Sequence, residues 1–132
     1  VEGAGAAPLA AFLAGRLDAL KGRKVVLALC GGNIDTSALG RIIEVGLVAD
    51  GRLCRFTVTI SDRPGGLARL AEIIASTGAS IKEIVHDRAF SGPDLSAVRV
   101  ICVAETTGHA HVERLHAALA AANLPIDSGF AR

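Results

Sequence analysis

The stretch with the clearest chemical potential is Asp62-Arg63-Pro64-Gly65-Gly66-Leu67. Pro64 fixes its own φ and has no N–H, while Gly65 and Gly66 accept positive φ and put no side chain between the backbone and whatever approaches it. If a helix begins there, the unbonded N–H groups of its first turn and the positive end of its dipole point into the loop. The loop then suits a carboxylate, a phosphate or a carbonyl oxygen. A second glycine turn, Cys30-Gly31-Gly32-Asn33, closes an apolar run of strand length. Ligands of open α/β sheets collect beyond the carboxyl ends of strands, so this turn reads as part of a cofactor corner.

The thiols and imidazoles do not cluster. Cys30, Cys54 and Cys102 are far apart and each lies in an apolar run, which reads as buried free thiols in a reducing compartment. No CxxC pair occurs, and His109 and His111 are two residues apart, a spacing that points them to different sides of a helix, so no metal site is expected. Cys30 as a nucleophile would need a nearby base, and the histidines, His86, His109, His111 and His116, all fall in the second half of the chain. Glu72, Glu83 and Asp87 form no carboxylate pair suited to acid–base work and read as solvated faces.

The elements that must position these groups follow from periodicity. Residues 9–20 read as an alanine-rich helix ended by Lys21-Gly22, and Val25-Val26-Leu27-Ala28-Leu29-Cys30 as a strand covered on both faces, whose sheet must come from sequence outside this segment. A helix over 37–45 and a connector with an Asp50-Gly51 turn follow. A domain boundary there separates 1–52 from 53–132. Beyond it, strand 54–61, helix 66–77, strand 81–90, a Ser91-Gly92-Pro93-Asp94 turn, strand 97–104, a helix over 107–122 and a short last strand, Leu124-Pro125-Ile126, spell βαββαβ. This is the α+β, ferredoxin-like arrangement, with helices on one face of an antiparallel sheet. Leu67, Leu70, Ile73 and Ile74 form one core stripe and Val112, Leu115 and Leu119 another, with His116 as a hydrogen-bonded histidine at the core's edge. Ala97, Ile101 and Val103 leave the other sheet face apolar, so another subunit is expected to meet it.

Composition narrows the partners. A hydrophobic fraction of 51% with 20% charged residues requires folding, and a net charge of +1 with 3% aromatic residues offers neither a basic field nor stacking rings for nucleic acid. No apolar run reaches the roughly 20 residues of a membrane span, and no secretory start is seen, so the expectation is a cytoplasmic protein.

Strand, Asp62-Arg63-Pro64-Gly65-Gly66-Leu67, helix and two strands resemble an ACT domain, the small ligand-sensing module of amino-acid metabolism, over about residues 53–126. The resemblance implies a homodimer or higher homo-oligomer that binds a small amino acid at Asp62, Arg63, Pro64, Gly65, Gly66 and Leu67. The front segment, Glu2-Gly3-Ala4-Gly5-Ala6-Ala7 with Cys30-Gly31-Gly32-Asn33-Ile34-Asp35 and Arg41-Ile42-Ile43-Glu44-Val45-Gly46-Leu47, is similar to the end of the catalytic domain of threonine or serine dehydratases. These are fold type II pyridoxal-phosphate enzymes. That likeness implies that Cys30 stands where a Ser or Cys meets the pyridine nitrogen of pyridoxal phosphate, with Gly31, Gly32 and Asn33 forming the turn. A neutral thiol leaves that nitrogen unprotonated, which moderates the ring as an electron sink and suits β-elimination of water. No lysine sits in a setting for a Schiff base and no phosphate-cradling loop is present. The expectation is therefore a carboxyl-terminal piece of such an enzyme, inactive alone and acting as an allosteric and dimerisation module. The alternative is a structural dimerisation domain whose loop binds nothing.

Overall fold

We describe the protein from a computed structural model over residues 1–88 and 96–127. Its residue contacts gather into two units, Val1–Ile43 and Glu44–Arg132.

In the first unit, α1 spans Gly3–Leu13 with Pro8 inside it. It starts before the expected 9–20 and stops short of it, because a turn at Gly15 lets the Arg16 N–H bond back to the Ala11 carbonyl at 2.9 Å. A single 3-10 turn, Asp18–Leu20, follows. The expected strand Val25-Val26-Leu27-Ala28-Leu29-Cys30 is not formed: none of these residues pairs in a ladder among the described residues, and Val26 is 93% exposed. An apolar run becomes a strand only when neighbours supply its hydrogen bonds.

Helix α2 covers Thr36–Ala49. Asp35 caps its start, its carboxylate accepting from the Ala38 N–H at 2.9 Å. The helix outruns the expected 37–45 by passing through Gly46, and it ends at the Asp50-Gly51 turn. There the Gly51 N–H bonds the Val48 carbonyl at 3.0 Å and the Arg52 N–H bonds the Leu47 carbonyl at 2.8 Å, with Gly51 at φ +64°. That pair of bonds is the Schellman motif, and the left-handed φ is why a glycine stands there.

The second unit continues with β1 (Leu53–Ser61), α3 (Gly66–Ser76), β2 (Ser80–Asp87), β3 (Ala97–Glu105) and α4 (His109–Ala121). The three strands form one antiparallel sheet in the order β1-β3-β2. Of the expected last strand, only Ile126 pairs, as an isolated antiparallel bridge to Val58. Pro125 next to it has no N–H to extend the ladder. Ala89, Phe90 and the turn Ser91-Gly92-Pro93-Asp94 lie outside the described residues. The result is an α+β unit compatible with a ferredoxin-like domain.

Strand alternation builds the core. Phe56, Val58 and Ile60 from β1 and Val98, Val100, Cys102 and Ala104 from β3 face the helices, where they meet Leu70 and Ile74 of α3 and Leu115 and Leu119 of α4. The stripe on α4 is His111, Leu115 and Leu119, at intervals of four, and Leu67 stays outside the α3 stripe as an exposed residue. Arg69 ties the helices by donating to the Ala122 carbonyl at 3.1 Å, at the negative end of α4. On β2 the register slips between Ile81 and Glu83, so Lys82 is an extra residue forming a bulge, and its ammonium meets Glu44 at 2.8 Å. Arg55, Val85, Ile101 and Val103 lie on the opposite face, where Glu44, Val45 and Val48 at the end of α2 border a hollow with Arg55, Glu83 and Val103.

Candidate functional site

The loop after β1 is built almost entirely from backbone. Gly65, at φ +95°, is the N-cap residue of α3 and offers no side chain to cap it. A Cβ on Gly66 would run into the Ser61 carbonyl oxygen, so strand end and helix start are pressed together there. The Gly66 N–H closes the turn on the Arg63 carbonyl at 3.1 Å, and the Asp62 N–H bonds the Ser96 carbonyl at 2.9 Å. Arg63, Pro64, Gly65 and Leu67 are exposed and Gly66 is half-buried, so the first turn of α3 opens outward.

Asp62 is not idle in this loop. Its two carboxylate oxygens accept from Arg88 Nε at 2.8 Å and Nη2 at 3.0 Å, a bidentate pair joining the carboxyl ends of β1 and β2. His86 Nε2 stands 3.7 Å from Asp62 Oδ1. The hydrogen bond from Arg88 holds the Asp62 carboxyl below its ordinary value, outweighing the opposing effect of partial desolvation. The corner therefore presents exposed backbone and an internally neutralised carboxylate, a combination able to hold a small polar group. Sequence reasoning missed Arg88 and His86; the available signal was that a half-buried aspartate at a strand end requires a counter-charge.

In the first unit two of the three stretches that carry the front segment's likeness touch, Glu2–Ala7 and Cys30–Asp35. The Glu2 N–H bonds the Gly31 carbonyl at 3.2 Å, and Gly5, buried, lies so close to the Cys30 carbonyl that no Cβ would fit between them. Cys30 is exposed, which corrects the expectation of three buried thiols; Cys54 is half-buried and Cys102 buried. Burial pushes the Cys102 thiol up to about 11. An exposed thiol opening a glycine turn fits contact with a flat heteroaromatic ring, as the resemblance requires of Cys30, Gly31, Gly32 and Asn33.

The histidines serve structure. His109 Nε2 lies 3.0 Å from the Ala49 carbonyl at the end of α2, while His111 is buried with Nδ1 accepting from the Thr107 N–H at 3.2 Å. His116, expected to be hydrogen-bonded, has no partner at Nε2 among the described residues; its ring meets Phe56 edge-on at 6.3 Å instead. Among the described residues no group of His, Cys, Asp and Glu could hold a metal ion, and no helix is long and apolar enough to cross a membrane.

No protein-family model matches the chain. It is 44% identical over 115 residues to an L-threonine ammonia-lyase of Geobacter sulfurreducens, a match covering 87% of this chain and 28% of that protein. An L-threonine ammonia-lyase of Thermotoga maritima is 38% identical over 120 residues, 91% of this chain and 29% of its own length. The catabolic L-threonine dehydratase TdcB of Staphylococcus aureus is 48% identical over 52 residues, 37% of this chain. The chain thus spans less than a third of the length of these relatives. A 115-residue match leaves only 17 of 132 residues aside, so it takes in both glycine turns. Over about nine-tenths of its own length the chain is thus similar to part of an L-threonine ammonia-lyase, which is consistent with its being a piece of such a protein.

Proposed function

We propose that this chain is the carboxyl-terminal regulatory piece of a cytoplasmic L-threonine ammonia-lyase, the enzyme that deaminates threonine to 2-oxobutanoate and ammonia. Its second unit is read as an ACT domain of ferredoxin-like build that binds a small amino acid at Asp62, Arg63, Pro64, Gly65, Gly66 and Leu67 and pairs with a second copy. The observation that carries this reading is the 44% identity over 115 residues, 87% of the chain. The closeness of Gly66 to the Ser61 carbonyl supports it, because it leaves the loop's outer side as bare backbone.

In the complete enzyme Cys30, Gly31, Gly32 and Asn33 would border the pyridine edge of pyridoxal phosphate. The cofactor, when bound, supplies an electron sink for loss of the β-hydroxyl. This chain's own contribution there is a neutral thiol donor at Cys30 on a turn braced by Glu2 and Gly5. An effector bound at the 62–67 loop would bias the paired second units, and α2 would carry that bias as a coupling of about 1–3 kcal/mol.

A second reading, a structural turn that binds nothing, is favoured by one observation: Asp62 already has its partner in Arg88. Calorimetric titration of the chain with a panel of small neutral amino acids separates the two. The sensor reading expects saturable heat with at least one of them, weakened several-fold by Arg63→Glu, which places a negative charge on the exposed loop without touching a described contact. A dimeric chain that gives no heat at millimolar ligand leaves the structural reading.

A further inference from the structure

We infer that the hollow between the last turns of α2 and the sheet face opposite the core is a second ligand site, suited to a small zwitterion with an aliphatic body. It is separate from the 62–67 loop. The loop follows the carboxyl end of β1, whereas the hollow lies at that strand's start, with Leu53 and Arg55 in its wall. Neither site depends on the other. The hollow encloses about 360 Å³. Ligand pockets run from about 300 to 1,000 Å³, so this one selects a small molecule. Val45 and Val48 of α2 form one apolar wall, and Leu53 and Val103 of the sheet form the other. The two α2 valines keep 68% and 57% of their surface exposed, so helix and sheet leave space there rather than closing on each other.

The charges on the rim choose the ligand. Arg55 of β1 and Glu83 of β2 are both in register with Val103 of β3, one on either side of it. A strand spacing of about 4.8 Å puts their Cα atoms roughly 10 Å apart, a gap that two long side chains can close around the head of a small zwitterion. Both border the hollow, and neither belongs to an ion pair among the described residues. Lys82 and Glu44, also on the rim, are engaged with each other at 2.8 Å. That hydrogen bond holds the Glu44 carboxyl below its ordinary value and the Lys82 ammonium above its own, with Glu105 and Glu83 adding smaller attractions to Lys82. The rim thus carries two cations and two anions, with one of each uncommitted to an ion pair. A phosphate would meet Glu44 and Glu83, and a metal ion would meet Arg55 and Lys82. A zwitterion satisfies both free charges: its carboxylate accepts from the Arg55 guanidinium, its ammonium donates to the Glu83 carboxylate, and its aliphatic body covers Val45, Val48 and Val103. Such a ligand touches α2 and the sheet at once.

The test is calorimetric titration with L-norvaline of the chain and of Arg55→Gln, Glu83→Gln and Arg63→Glu, with circular dichroism to confirm that each variant is folded. Arg55 and Glu83 are exposed, so their replacement leaves the core untouched. Saturable binding is expected, with a dissociation constant that rises on the order of tenfold in Arg55→Gln and again in Glu83→Gln, since each removes one charged hydrogen bond. Pentanoate, which lacks the ammonium, and butylamine, which lacks the carboxylate, should bind more weakly than L-norvaline by a similar factor. Arg63→Glu tells the two sites apart, because it lies on the 62–67 loop and should leave binding at the hollow unchanged. Binding that weakens in Arg63→Glu but not in Arg55→Gln or Glu83→Gln would overturn the hollow and leave the loop. Weakening in only one of Arg55→Gln and Glu83→Gln, or equal binding of pentanoate or butylamine, would overturn the zwitterion. No saturable heat at tens of millimolar L-norvaline would overturn the site outright.

Discussion

At the scale of single residues, the chain's polar chemistry is mostly committed to holding the fold. Asp62 shows this: its type and place in the loop were legible, but its partner Arg88 lies 26 positions away and only the β1-β3-β2 sheet brings them together. Cys30 shows the converse, since its apolar neighbours suggested burial that the first unit does not provide. His116 offers a test. Burial lowers its pKa below the ordinary 6.5, so the folded chain binds a proton less readily than the unfolded chain. Stability from this group is therefore complete above pH 6.5 and falls as pH drops from there toward the lowered folded value. Urea unfolding followed from pH 7.5 to 5 should show that decline, and His116→Leu, which keeps the contact with Phe56 apolar, should flatten it. An unchanged slope in the variant would assign the decline to other groups.

At the scale of elements, strands and helices of the second unit were legible because each carries its own period. β1 and β3 alternate between faces, and α3 and α4 carry stripes at helical spacing. What failed was whatever depends on a partner or on a cap. Val25 to Cys30 needed a ladder, and the last strand needed an N–H that Pro125 lacks. The end of α2 was misjudged because Gly46 resembles a stop, whereas the actual stop is Gly51. That turn is also the joint between α2 and the start of α4. The Thr106 hydroxyl donates to the Gly51 carbonyl, the Thr106 N–H bonds the Arg52 carbonyl at 3.0 Å, and a Cβ on Gly51 would approach His109 N to 2.7 Å. Gly51→Ala should therefore cost about 1–3 kcal/mol, combining left-handed strain with a forced shift of His109. Gly40→Ala, within α2 where a Cβ meets nothing within 4 Å, should be neutral or stabilising by up to about 1 kcal/mol. Chemical denaturation of both variants checks the contrast, and equal effects would contradict the capping argument.

At the scale of the whole molecule, every residue of the hydrophobic core belongs to the second unit. The first unit has one buried residue in its helix, Gly5, and no apolar cluster of its own among the described residues. The expected outcome is that a piece covering 44–132 keeps the far-ultraviolet dichroism of the sheet and helices and unfolds in one cooperative transition. A piece covering 1–43 should show neither property. Dichroism and thermal melting of the two pieces decide this, and loss of cooperativity in the larger one would mean that the first unit contributes to the core. The change of pattern after the Asp50-Gly51 turn suggested a boundary at 52/53, whereas the residue contacts divide between Ile43 and Glu44, and the core's one-sidedness required the observed pairing. The bulge at Lys82 carries a last consequence. β2 forms one edge of the sheet, and an incoming strand would have to skip a residue there and displace the lysine held by Glu44. Such an irregular edge is a poor template for endless strand addition, so the apolar chain is guarded against growing into fibrils when crowded.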